Sequence, residues 1–229
     1  MKIAILIQAR MSSKRLPGKM LMPVMGQPLI QYLIDRLAPL KNEFPIIITT
    51  SIDSTDDVLS DYCRNNNTKC YRSDLHSVYQ RFVDAIEFFK LDAFVRITGD
   101  SPLIDPEIVK NVIYLYRESG ADLATNVFPR SFPKGQSIEV FNAKLFCATL
   151  KKITNHSEAE HISEFYYKNS NQFKIENICH SQNFANFQMS VDTPEDFANF
   201  KALITNNPTK ARSATWLELI DSLKKISDS

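Results

Sequence analysis

Glycine is scarce in this chain, five residues in 229, and neither Gly-x-Gly-x-x-Gly nor Gly-x-x-x-x-Gly-Lys-Ser/Thr occurs. That excludes two common ways of cradling phosphate on glycine-opened backbone, the dinucleotide fingerprint and the P-loop. Cysteine is sparse as well. Cys63, Cys70, Cys147 and Cys179 include no Cys-x-x-Cys pair, so no disulfide framework is indicated and a reduced, cytoplasmic protein is expected. Long apolar runs are missing: Ile3 to Ile7 is five residues and ends at Gln8 and Arg10, too short for an export signal or a membrane span. No membrane partner is expected. Charge of one sign is missing in total, with 27 basic against 26 acidic residues, which argues against a general nucleic-acid surface. Yet no acid precedes Asp35, while Lys2, Arg10, Lys14, Arg15 and Lys19 do, and the rest of the chain carries 22 basic and 26 acidic residues. The positive charge is concentrated near the N-terminus.

What is present is ordinary globular usage, 44% apolar and 10% aromatic. A chain of this length buries roughly 70 to 75% of its unfolded surface, enough for one sizeable core. A single domain over 1–229 is expected, with a small dimerisation or substrate subdomain around 129–168. Lys2 to Ala9, Pro45 to Ser51, Lys69 to Arg72 and Ala93 to Thr98 are short and rich in Ile, Val, Phe or Thr, as buried strands are. Helical patterns lie between them: one opening at Pro28, one capped by Ser54, one from about Ser77 to Phe89. Strand then helix, repeated, predicts crossovers onto a parallel sheet, hence an α/β fold. Asp105 with Pro106 and Glu107 predicts a helix to about Ser119. Beyond it, strands are expected at Asp122 to Asn126, Ser137 to Asn142, Phe173 to Cys179 and Phe187 to Val191. Helices are expected at Ala143 to Ile153 and His156 to Lys168, with two more capped at Thr193 and Thr215.

The strongest local feature runs from Gln8 through Ala9, Arg10, Ser12, Ser13, Lys14, Arg15, Pro17 and Gly18 to Lys19. It follows the first strand, and open parallel sheets bind ligands at the carboxyl ends of their strands. Four cations and no acid in ten residues suit a group carrying several phosphate charges.

Together with Gly26-Gln27-Pro28-Leu29-Ile30, Arg96 to Asp105 (RITGDSPLID), Pro129 to Pro133, Glu139-Val140-Phe141, Glu160-His161 and Val191 to Asp196, this opening resembles the sugar-acid cytidylyltransferases. The spore coat polysaccharide biosynthesis F-type branch looks most alike. The resemblance covers roughly Lys2 to Phe200. It implies a three-layer αβα nucleotidyltransferase fold, Rossmann-like, with a mostly parallel mixed sheet. It further implies transfer of CMP from CTP to a sugar or sugar acid with release of pyrophosphate, for cell-surface polysaccharide, and a homodimer. The site carried over is Gln8, Ala9, Arg10, Ser13, Arg15, Lys19 and Asp100 for the nucleotide, with Arg10, Lys19 and Asp100 catalytic. Asp100 and Asp192 would hold Mg2+, and Arg130, Gln136, Glu139 and His161 would face the acceptor. Fixed cations and a metal stabilise a leaving pyrophosphate without a protein nucleophile, and none is conspicuous. Where the family has an acid, an acid and an Arg, this chain has Gln80, Ser137 and Ala159, which bears on the choice of acceptor.

Two other readings stand beside this one. A nucleotide-sugar-dependent glycosyltransferase usually shows Asp-x-Asp, absent here. A noncatalytic nucleotide- or RNA-binding module would interleave stacking aromatics with the loop cations, and Arg10 to Lys19 has none. His156 and His161 are five apart, on different helix faces, which excludes a zinc-protease site.

Overall fold

The computed structural model describes residues 1–75 and 77–227. Its strands are β1 Ile3–Gln8, β2 Pro23–Val24, β3 Gln27–Pro28, β4 Ile46–Ser51, β5 Lys69–Ser73, β6 Ala93–Thr98, β7 Leu123–Thr125, β8 Glu139–Asn142 and β9 Ile175–Asn177. Its helices are α1 Leu29–Leu37, α2 Asp57–Asn65, α3 Val78–Phe89, α4 Pro106–Ser119, α5 Ala143–Thr149, α6 His156–Glu160, α7 Glu164–Lys168, α8 Pro194–Asn206, α9 Pro208–Ser213 and α10 Trp216–Ser227.

Seven strands make one sheet in the order β5-β4-β1-β6-β8-β7-β9, and β2 pairs with β3 separately. β1 is parallel to β4 and β6, and β4 to β5, whereas β8 runs antiparallel to β6 and β7. The sheet is mixed and mostly parallel. Successive strand side chains point to opposite faces. Ile3, Ile5 and Ile7 therefore enter one core with α1, α2, α4, α8 and α10, while Ala4 and Leu6 enter another with α3, α5 and α7. Both faces are covered, so both sets must be apolar, which is why the first strand reads as an uninterrupted run.

Helix starts are set locally. The Asp105 carboxylate accepts the Glu107 N–H at 2.9 Å with Pro106 at the first helical position, and Thr193 with Asp196 forms a capping box before α8. Each such cap contributes about 1 kcal/mol.

Several boundaries differ from expectation. Asp53, not Ser54, caps the second helical segment, because its side chain accepts the Thr55 N–H at the head of a 3₁₀ turn. The helix expected over His156 to Lys168 is two short helices broken at His161. Phe187 to Val191 is not a strand of the sheet. It lies across the strand ends, exchanging backbone hydrogen bonds with Lys134 and donating the Val191 N–H to the Asp100 carbonyl at 2.8 Å. Its partners are loops, so an extended, apolar sequence joins no ladder.

Candidate active site

β1, β4, β5 and β6 all end at one edge, and the loops after β1 and β6, with Glu160, His161 and Asp192, enclose a cleft of about 480 Å³. The loop after β1 closes on itself where the Gly18 N–H donates to the Met11 carbonyl at 2.9 Å. Gly18 has φ 74°, a backbone state that favours glycine. It turns the chain into a 3₁₀ turn, Lys19–Leu21, that buries Lys19. The turn after β6 approaches so closely that a Cβ on Gly99 would stand 2.9 Å from that of Ala9. Glycine there is a packing requirement.

The buried Lys19 ammonium donates to the Val191 carbonyl at 2.7 Å, Asp192 Oδ1 at 3.1 Å and Asp100 Oδ2 at 3.2 Å. Arg15 Nη2 reaches Asp192 Oδ1 at 2.9 Å. Partial burial by itself would raise the Asp192 carboxyl, but Lys19 and Arg15 overcome it and hold the group below the usual carboxylate range. Arg10 crosses the cleft to pair with Glu160 at the end of α6 and donates to the Leu75 carbonyl at 3.3 Å.

A second cluster forms the adjoining wall. Arg96 donates to Glu139 Oε2 at 2.7 Å and to Gln8 Oε1 at 3.2 Å, and the Tyr167 hydroxyl donates to Glu139 Oε1 at 2.6 Å. Burial pushes the Glu139 carboxyl up, yet Arg96, Tyr167 and Ser163 together bring it below its ordinary value. Burial and the neighbouring Glu139 carboxylate both push the Tyr167 hydroxyl up.

Of the residues singled out in the sequence, Gln8, Arg10, Ser13, Arg15, Lys19, Asp100, His161 and Asp192 are brought to this cleft. Ala9 is buried beneath it, its N–H donated to the Thr49 carbonyl. Arg130 and Gln136 are not among the residues lining the cleft. Gln136 is fully buried, accepting the Asp105 N–H at 2.8 Å and donating to the Leu103 carbonyl at 2.7 Å. Arg130 donates to the Pro133 carbonyl at 3.4 Å, and burial lowers its pKa. Glu139 meets the cleft only through Arg96. Sequence reasoning gave no role to Arg96, although a cation inside the buried strand Ala93–Thr98 is a legible signal, or to the Glu160 carboxylate that faces Arg10.

No group of three or more His, Cys, Asp or Glu side chains suited to a metal occurs among the described residues. Asp100 and Asp192 nevertheless share a single cationic atom. That arrangement fits a hard divalent ion, which needs one or two carboxylates when phosphate oxygens and water complete its shell.

A mostly parallel sheet flanked by helices, with a cation loop and two carboxylates at its strand ends, defines an αβα nucleotidyltransferase. The model of the family described as cytidylyltransferase matches residues 4–227, and the chain belongs to that family of enzymes, which transfer CMP from CTP and release pyrophosphate. It is 30% identical over 208 residues to the spore coat polysaccharide biosynthesis protein SpsF of Bacillus subtilis (strain 168), covering 88% of this chain and 85% of that one. The structure of a cytidylyltransferase from Leptospira borgpetersenii serovar Hardjo-bovis superimposes with TM-score 0.92 at 30% identity, covering 100% and 96%. CMP:2-keto-3-deoxy-manno-octonic acid synthetase, solved with CTP, shares the fold at TM-score 0.68 and 18% identity, covering 90% and 99%.

Proposed function

We propose that the protein transfers CMP from CTP to a hydroxyl of a sugar or sugar acid for cell-surface polysaccharide. The observation that carries this reading is the meeting of Arg10, Arg15 and Lys19 with Asp100 and Asp192 in one strand-end cleft. Each of these cations is engaged by a carboxylate, so a triphosphate enters by exchange: Arg10 leaves Glu160, and Arg15 and Lys19 turn from Asp192 to phosphate oxygens. Asp100 and Asp192 would then hold magnesium, which supplies positive charge at the triphosphate when bound. Lys19 is pre-oriented by the Val191 carbonyl, so its charge meets the growing charge on the leaving pyrophosphate with little reorganisation. The acceptor would lie against the Arg96, Gln8 and His161 wall. Glu139 would act there by holding Arg96 in that wall.

Among the described residues no helix is long and apolar enough to cross a membrane, and the four cysteines are free. A cytoplasmic enzyme is consistent with both. A homodimer, joined through the irregular 129–168 region, would bury roughly 1,200 to 2,000 Å² or more. A 26 kDa species in sedimentation at micromolar concentration would reject it. The activity is tested by incubating the protein with each nucleoside triphosphate, magnesium and a panel of sugar acids, and following pyrophosphate. CTP-dependent release that requires a sugar acid is expected. Release that follows another nucleotide, or none with any acceptor, would overturn the proposal.

A further inference from the structure

The cation loop is held at its base by a residue of a different crossover. Both backbone groups of Met11 are engaged: its carbonyl takes the Gly18 N–H, and its own N–H donates to Asp56 Oδ1 at 2.7 Å. The other carboxylate oxygen, Asp56 Oδ2, accepts the Ser51 N–H at 3.1 Å and the Ser51 hydroxyl at 2.5 Å. Asp56 is fully buried at the start of α2, and it makes no ion pair among the described residues. A carboxylate in such a place is costly unless its oxygens are hydrogen-bonded. Here they are bonded to the strand end after β4 and to the loop after β1.

Arg10 and Lys19 flank the Met11–Gly18 hydrogen bond directly, since Arg10 precedes Met11 and Lys19 follows Gly18. The far end of Arg10 is seated as well. Its guanidinium donates to the Leu75 carbonyl, which also accepts from the fully buried Arg81, and Arg81 holds the Asp74 carbonyl at 2.9 and 3.1 Å. Burial, with Arg10 adding to it, pushes Arg81 down to about 10, and Asp56 acts in the opposite sense. Two buried charges of opposite sign thus lie behind a loop that must present several cations in register.

We propose that Asp56 is a positioning residue of the cation loop, fixing Met11 so that Arg10 and Lys19 meet the β- and γ-phosphates together. The inference rests on the cleft being the CTP site. It is a role in binding geometry, because Asp56 is buried away from the cleft and offers no atom to the ligand.

Calorimetric titration with three probes, CTP, inorganic tripolyphosphate and CMP, separates the possibilities. Wild-type protein that binds neither CTP nor tripolyphosphate would overturn the reading of the cleft itself. If it binds them, Asp56→Ala should weaken both about tenfold, a typical consequence of one lost hydrogen bond to a charged group. CMP, which lacks the β- and γ-phosphates, should weaken by no more than about threefold on the same scale. Asp56→Asn should recover part of the loss, since its one amide oxygen can still accept from Met11. The control is Asp57→Asn, which removes the neighbouring charge, turned outward to Arg72 at 2.6 Å; it should leave all three affinities unchanged. Unchanged tripolyphosphate affinity in folded Asp56→Ala, or an equal loss for CMP, would overturn the inference. If the Ala variant does not fold, hydrogen exchange of Asp56→Asn decides. Faster exchange confined to residues 10–19 supports the inference, and exchange unchanged there overturns it.

Discussion

Two charge clusters meet at this cleft, and they differ in how their charges are held. Around Lys19 the carboxylates are open to solvent, with side chains 25% exposed at Asp100 and 22% at Asp192, and one cation is shared between them. Around Glu139 the carboxylate is 3% exposed and pairs with Arg96 at 15%. The two carboxylates are partly exposed and screened by water, so they can change partners when a triphosphate or a metal ion offers charge of its own, while Lys19 itself stays buried between them. A buried pair broken on one side leaves an uncompensated charge. The first cluster is arranged for exchange and the second for permanence.

The largest effect that separates them is metal removal. Pyrophosphate release should vanish in chelator and return with magnesium, while the urea midpoint, to which the Glu139 cluster contributes without any ion, should not move. Activity that persists in chelator would break the contrast. Next, Lys19→Ala should cost about 2 to 4 kcal/mol of transition-state stabilisation, read as kcat/KM. Lys41→Ala, on the exposed surface away from the cleft, should leave the rate near wild type.

On stability the order reverses. Arg96→Met strands the Glu139 charge in the interior and should cost about 3 kcal/mol in urea unfolding. Arg15→Met removes a side chain 64% exposed and should cost under about 1 kcal/mol. Similar losses at both would erase the distinction. The smallest effect is on acid stability. The folded Glu139 carboxyl is depressed, so its contribution is present above the unfolded value of about 4.3 and is lost as pH falls through the folded value. Glu139→Gln should therefore flatten the fall in stability below about pH 4. Asp192→Asn should flatten it less, because the Asp192 carboxylate is more open to salt and water.

Short-range physics accounts for the features legible in the order of residues. Apolar runs of strand length, the Asp105 and Thr193 caps and the loop from Arg10 to Lys19 state local backbone preferences and local charge. They suffice for an α/β sheet and a phosphate-seeking loop at a strand end. The motifs around Asp100 and Asp192 mark both as site residues only through a family resemblance, because no local pattern relates positions so far apart.

Tertiary structure alone decided which side chains share a partner. Phe187 to Val191 reads as a strand from its composition, but its backbone bonds to Lys134 and Asp100, and it crosses the strand ends to deliver Asp192 to Lys19. Gln136 reads as an acceptor contact, yet the 103–105 turn encloses it and takes both ends of its amide. Asp56 sits at the start of α2, and its hold on Met11 exists only because β4 lies beside β1. Hydrogen-bond periodicity and capping act over a few residues. Strand order and crossing segments choose contacts among groups from 5 to 173 positions apart, and that choice is settled by packing the whole chain.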